Sequence, residues 1–162
     1  MIKSWLWVFF ISMLPLVELR GAIPVSQALK LPIVPSYILS IAGNMIPVPF
    51  IYLFARKFIE WGQGKKFIGG ICSFFAVKGK NAGDKLQSKA GRGVFLALML
   101  FVGIPLPGTG AWTGTLAASF LDMKGKDTII AVMLGVLLAG LIMSAGSLGF
   151  FGALFSIKNS SL

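Results

Sequence analysis

Charged residues divide the chain into apolar stretches: Ser4 to Val17, Leu31 to Ala55, Phe67 to Val77, Gly93 to Leu121 and Thr128 to Ile157. About 20 residues of helix span a bilayer's hydrocarbon core. Leu31 to Ala55 has 25 residues, enough for one crossing, and Gly43, Pro47 and Pro49 predict a bend in it. Thr128 to Ile157 predicts a second crossing. Phe67 to Val77, with 11 residues between lysines, is too short to cross. From Arg56 to Val77 bulky apolar residues alternate irregularly with basic ones, the pattern of an interfacial helix or helix pair. Lys78 to Arg92 reads as a polar, basic loop.

Gly93 to Leu121 has 29 residues, and Pro105, Pro107, Gly108 and Gly110 sit at its middle. Each proline deletes a backbone donor and crowds the preceding turn. Two arms of about 13 residues each reach roughly 20 Å at 1.5 Å per residue. The stretch therefore predicts a re-entrant hairpin with its tip near mid-bilayer; a kinked single span is the alternative. Trp5 to Leu29 repeats this design, interrupted by Pro15, Glu18, Arg20, Gly21 and Pro24.

The predicted fold is thus an all-α integral membrane protein, one membrane domain of two inverted repeats. Repeat 1 covers 1–55, with a hairpin over 4–29 and a transmembrane helix over 31–55. Repeat 2 covers 93–157, with a hairpin over 93–121 and a transmembrane helix over 128–157. A basic amphipathic linker, 56–92, joins them.

Composition narrows the picture. Of the 162 residues 56% are hydrophobic and 12% charged, against roughly 25% charged in a soluble domain. A soluble globule, a disordered chain and a disulfide scaffold are excluded on that basis. The lone Cys72 and the lack of His argue against zinc, haem and iron–sulfur sites. They also remove His-based acid–base and nucleophilic catalysis, so neither an enzyme nor a metal or cofactor is expected.

The net charge of +10 reads as positive-inside topology rather than nucleic-acid binding. Nine Lys/Arg between Arg56 and Arg92 make the linker cytoplasmic, in a prokaryotic cytoplasmic membrane. With re-entrant hairpins both termini lie outside; four plain crossings place them inside with the same basic count on each face. Glu18 and Arg20 fall where signal cleavage requires small neutral residues, so the first segment is expected to stay in the mature protein.

Three constellations carry chemistry. In Glu18-Leu19-Arg20-Gly21-Ala22-Ile23-Pro24, two charges at membrane depth each cost roughly 2.5–3.5 kcal/mol on insertion scales. Residues two apart on a helix do not face each other, so either the helix ends between them or each finds a partner elsewhere. Glu18 is the candidate proton or cation acceptor and Arg20 the candidate anion clamp; an ion pair fixing the hairpin tip, or an interfacial pair, is the alternative.

The second constellation runs from Gly103 to Gly114 and includes Pro105, Pro107, Gly108, Thr109, Gly110, Trp112 and Thr113. Broken backbone inside a bilayer must line protein or water. A half-helix beginning beyond the break offers free N–H groups to anions. Close packing of small residues accounts for the same glycines. No carboxylate or cation here matches Glu18 and Arg20, so the halves look chemically unequal. The third is Asn44 beside Gly43, suited to an interhelix hydrogen bond, a contact with a hairpin tip or a polar substrate.

ELRGAIP at 18–24, GN at 43–44 and IPLPGTGAWTG at 104–114 resemble the small multidrug export protein family. That family is distantly similar to the DedA/VTT membrane proteins, whose fold pairs inverted re-entrant hairpins. The resemblance implies matches at Glu18, Arg20, Gly21 and Pro24, and at Pro105, Pro107, Gly108, Thr109, Gly110 and Trp112. It implies a small transporter that exports or translocates an amphiphilic substrate, with protons as coupling ion. DedA-like translocation of a phosphate-bearing lipid carrier, and a non-transporting membrane scaffold, are the alternatives. Expected partners are membrane lipids, the substrate, protons and a second copy in a homodimer; nucleic acid is not one.

Overall fold

The computed structural model describes residues 2–15, 17–63, 70, 93–106 and 108–160. Most of the predicted linker, and Pro107, lie outside the described residues. Among the described residues, helices run in the order α1 (Ile2–Met13), α2 (Glu18–Ala28), α3 (Ile33–Met45), α4 (Pro47–Gln63), α5 (Gly93–Gly103), α6 (Ala111–Phe120) and α7 (Gly125–Ser160). Among the described residues, two stretches are long and apolar enough to cross a membrane, Ile33–Ala55 and Gly125–Phe150.

The predicted bend in the first long stretch falls at Ile46, where α3 gives way to α4 at Pro47. Pro47 and Pro49 cannot donate back to the carbonyls four residues earlier, so the ladder opens there. Arg56 to Gln63, assigned by pattern to an interfacial segment, instead continue α4 without a break.

Both halves are built alike. Four residues separate α1 from α2, and the helices pack on each other as a helical hairpin. Seven residues separate α5 from α6, and a Cβ on Gly114 of α6 would lie 2.5 Å from the Val102 side chain of α5, so these helices also touch. At the end of α2, Leu31 N–H donates to Ser26 O (2.9 Å) and Lys30 N–H to Gln27 O (2.9 Å). At the end of α6, Met123 N–H donates to Ala118 O (3.1 Å) and Asp122 N–H to Ser119 O (3.3 Å). Both are Schellman closures, with Lys30 (φ 56°) and Asp122 (φ 52°) in the left-handed position. Lys30 and Asp122 lie 92 positions apart, as do the starts of α3 and α7.

The long helices meet the hairpins in matching ways. A Cβ on Gly43 of α3 would sit 2.6 Å from Phe9 O and 2.0 Å from Ser12 Oγ of α1. A Cβ on Gly135 of α7 would sit 2.7 Å from Met99 O and 2.7 Å from Val102 of α5. In each crossing a glycine admits a backbone carbonyl, and the side chain three residues further on, at close range.

Leu19 and Ile23 of α2, Val48 of α4, Val102 of α5, Ala118 of α6 and Val132 and Val136 of α7 belong to the main core. Val8, Ala22 and Leu31 form a second cluster within the first half. Two tyrosine hydroxyls tie the long elements together. Tyr52 on α4 donates to Met123 O (2.6 Å), and Tyr37 on α3 donates to Leu137 O (3.1 Å). The outward side chains of Phe50, Phe54, Leu141 and Phe150 are exposed, as lipid-facing positions are.

Candidate functional site

The two helix breaks face one another. The first is short because Glu18 N–H donates to Leu14 O (3.0 Å), returning the chain to helix at once. The second is longer. Pro105 and Leu106 stand 90 positions after Pro15 and Leu16, whereas the ends of α2 and α6 stand 92 apart. The two extra positions open the segment between Gly103 and Ala111. Within it Leu106 N–H donates to Ile104 O (2.8 Å), and Thr109 Oγ1 donates to Ile104 O (2.9 Å) and Leu106 O (3.0 Å). Gly108 takes φ 82°, which a residue with a Cβ adopts only at a cost.

An interrupted helix leaves carbonyls at one end and amides at the other. Here the first half supplies partners for both. Glu18 is buried, and its carboxylate accepts from Ala111 N–H (Oε2, 3.1 Å) and Trp112 N–H (Oε1, 3.0 Å), the first-turn amides of α6. A carboxylate there also meets the positive end of the helix dipole. Arg20 donates through Nη2 to Val102 O (3.1 Å) and Ile104 O (3.3 Å), and through Nη1 to Leu106 O. These carbonyls close α5 and continue into the break. One half thus contributes an acid to the amino end and a base to the carboxyl end of the other half's broken helix.

Of the two routes read from the sequence, each charge finding its own partner is the one the geometry follows. Arg20, Gly21 and Pro24 all lie inside α2, which starts at Glu18 rather than ending between the charges. Glu18 itself takes φ 52°, a left-handed conformation that costs an ordinary residue roughly 1–2 kcal/mol. That conformation starts the helix and carries the side chain across to α6.

The second half reciprocates. Trp112, 92 positions after Arg20, donates its indole Nε1 to Met13 O (3.2 Å), the last residue of α1. The residues at positions 20 and 112 therefore do the same work from opposite sides, each donating to the end of the other half's first helix. The halves are less unequal than their side-chain charges suggest.

A cavity of about 560 Å³ opens beside this junction. Its polar wall consists of Glu18, Arg20, Thr109 and Thr113, and its glycines are Gly21 and Gly108. Pro15, Val17, Pro105, Leu106, Trp112, Leu116 and Met143 make the rest apolar. The volume suits a small amphiphile. A Cβ on Gly110 would lie 2.3 Å from Glu18 Oε2, so the absence of a side chain there is what lets the carboxylate reach α6.

The structure thus gathers Glu18, Arg20, Gly21, Pro105, Gly108, Thr109, Trp112 and Thr113 around one space, with Gly110 buried directly behind it. Pro24 sits in the interior of α2 and Asn44 in α3, and neither lines the cavity. Asn44 is fully buried, and neither end of its carboxamide has a hydrogen-bond partner; nor does Ser40 Oγ one turn earlier. The interhelix bond expected of Asn44 is not formed. Sequence reading missed the apolar wall of Pro15, Val17, Leu116 and Met143. The repeated Pro-Leu pair was the available signal for Pro15; nothing in the pattern distinguishes Met143 from its neighbours on α7.

A family model described as "Putative small multi-drug export protein" matches residues 18–142. That range begins at Glu18, just after the first break, and contains the second break and all the polar wall. No curated protein and no solved structure matches the chain.

Proposed function

Because the chain belongs to the small multi-drug export protein family, we propose that it carries small amphiphilic molecules across the prokaryotic cytoplasmic membrane through the cavity between its two helix breaks. The supporting observation is the cavity itself. It pairs an apolar wall with one acid and one base, each held on backbone groups of the opposite half. In this reading the two halves are inverted repeats. Their hairpins are re-entrant from opposite faces, and the breaks meet near mid-membrane, where transporters built this way place substrate.

Glu18 is the coupling residue. Its carboxylate holds α6 by two amides, and a proton there replaces a charged acceptor with a neutral carboxyl group. The grip on α6 weakens, and the second break is freed to move relative to the first. Arg20 keeps its hold on the end of α5 throughout, because a guanidinium stays charged.

Flux in liposomes tests the proposal. Purified protein is reconstituted with a membrane-impermeant amphiphilic dye trapped on one side, with and without an imposed pH gradient. The expected result is gradient-stimulated movement that Glu18→Gln uncouples from the gradient. Equal flux with empty liposomes rules the transport reading out.

A further inference from the structure

The residues that line the cavity are sorted by exposure. Pro15, Val17, Leu106, Gly108 and Leu116 stand exposed, and none of them carries a polar side chain. Glu18 is buried, and Arg20, Thr109 and Thr113 are half-buried. Leu14 and Ile104, each next in the chain to a lining proline, are exposed and apolar as well. A mouth that opened to water would carry the reverse order, with polar groups outermost.

The polar groups within already have partners in the protein. Glu18 holds two amides of α6, Arg20 holds three carbonyls at and beyond the end of α5, and Thr109 Oγ1 shares two of those carbonyls. Hydrocarbon can lie against groups paired in this way, whereas unpaired ones need water.

Helix lengths set the depth of the mouth. Gly43 and Gly135 mark where the spanning stretches cross α1 and α5, just before the two breaks. Each glycine lies ten residues past the start of its stretch, at Ile33 and at Gly125, so about 15 Å along at 1.5 Å per residue. That is the middle of a hydrocarbon core about 30 Å thick. Among the described residues, the lining comes from the two breaks, the beginnings of α2 and α6, and Met143 of α7. The spanning stretch of the first half, α3 with α4, contributes none of it.

We propose that the cavity opens sideways into the hydrocarbon interior of the bilayer, and that an acyl chain of a membrane lipid lies in it until a ligand displaces it. This rests on the reading above that the breaks meet near mid-membrane. The ligand then comes from the bilayer and not from water. It enters past Val17, Leu106 and Leu116 with its apolar part leading, and only inside does it meet the polar wall.

The test reads the contents of the cavity without flux. Trp5, Trp7 and Trp61 are replaced by Phe, leaving Trp112 in the cavity wall as the single fluorescent reporter. If that chain does not fold, the difference between the native protein and Trp112→Phe gives the same quantity. The protein is reconstituted into vesicles of dioleoyl phosphatidylcholine and phosphatidylglycerol. Parallel vesicles carry the same headgroups on chains dibrominated either near the methyl end or near the carboxyl end. Iodide added to the water reports the aqueous route. Bromines near the methyl end are expected to remove most of the Trp112 emission, those near the carboxyl end less, and iodide very little. Thr113→Phe fills the cavity with a side chain of its own and should restore most of the lost emission. If Thr113→Phe does not fold, Thr113→Leu carries the same expectation.

Quenching by iodide that exceeds quenching by lipid overturns the proposal, because the cavity then opens to water. Quenching by neither overturns it as well, since protein then covers the mouth. Stronger quenching from the carboxyl-end bromines removes the mid-membrane mouth. Lipid quenching that the Thr113 variants leave unchanged comes from lipid outside the cavity, and the proposal fails. A protein quenched as expected that moves no dye in liposomes keeps this inference and loses transport. One that moves dye but is quenched by iodide alone keeps transport and loses the sideways mouth.

Discussion

Gly108 and Gly110 lie two positions apart in the same break, yet substitution should hurt them differently. At Gly108 a Cβ meets nothing within 4 Å, and the cost is the φ of 82° alone, about 1 kcal/mol. At Gly110 a Cβ would fall 2.3 Å from the Glu18 carboxylate, which must withdraw from Ala111 and Trp112. Two hydrogen bonds to a charged group are then lost or stretched, each typically about 1.5–3 kcal/mol. Gly110→Ala should therefore lower the melting temperature in detergent distinctly more than Gly108→Ala. Equal losses would mean that Glu18 does not hold α6. Asn44 gives the opposite expectation. Its buried carboxamide has no partner, so Asn44→Leu should remove an unsatisfied group, worth roughly 1–3 kcal/mol, and raise the melting temperature. A fall would show that the amide has a polar partner in the folded protein.

At the scale of elements, the breaks were legible because prolines and glycines in mid-segment remove donors and open helices whatever surrounds them. The bend before Pro47 was legible for the same reason. What the sequence withheld is who answers the freed groups. Glu18 and Arg20 bind main-chain amides and carbonyls, which every residue carries, so no side chain in the second half advertises them. That is why the second half looked uncharged and unequal, and why the matching role of Trp112 stayed hidden: an indole in an apolar run reads as packing. The run of α4 past Ala55 escaped too, since a basic, apolar mixture fits the end of a spanning helix as well as a surface one. Tyr52 illustrates a purely structural tie. Tyr52→Phe deletes the buried bond to Met123 O at the turn before α7 and should cost about 1 kcal/mol. Its effect should appear in the melting temperature while binding at the distant cavity is unchanged; an altered affinity would show that the α6–α7 turn is coupled to the break.

For the whole molecule, helix lengths bear on topology. α1, α2 and α6 have 12, 11 and 10 residues, so each reaches only about 15–18 Å at 1.5 Å per residue, well short of a core about 30 Å thick. α1 and α2 pack on each other as a hairpin, and neither alone has the length to cross. Among the described residues, only the stretches from Ile33 and from Gly125 have the length to do so. If the hairpins are re-entrant, the turn before α3 and the turn before α7 lie on opposite faces. The cluster of Lys/Arg after Ala55 then puts the turn before α7 in the cytoplasm. A reporter active only outside the cytoplasmic membrane should be silent when inserted at Gly125 and active when fused after Leu162. Four plain crossings reverse both results while keeping the same number of basic residues inside, so charge counting cannot separate the two arrangements and the reporter pair can. The reversed pattern would also remove the mid-membrane setting of Glu18. The acid and base would then grip a broken helix near a wet surface, where neither has to repay the cost of burial in lipid.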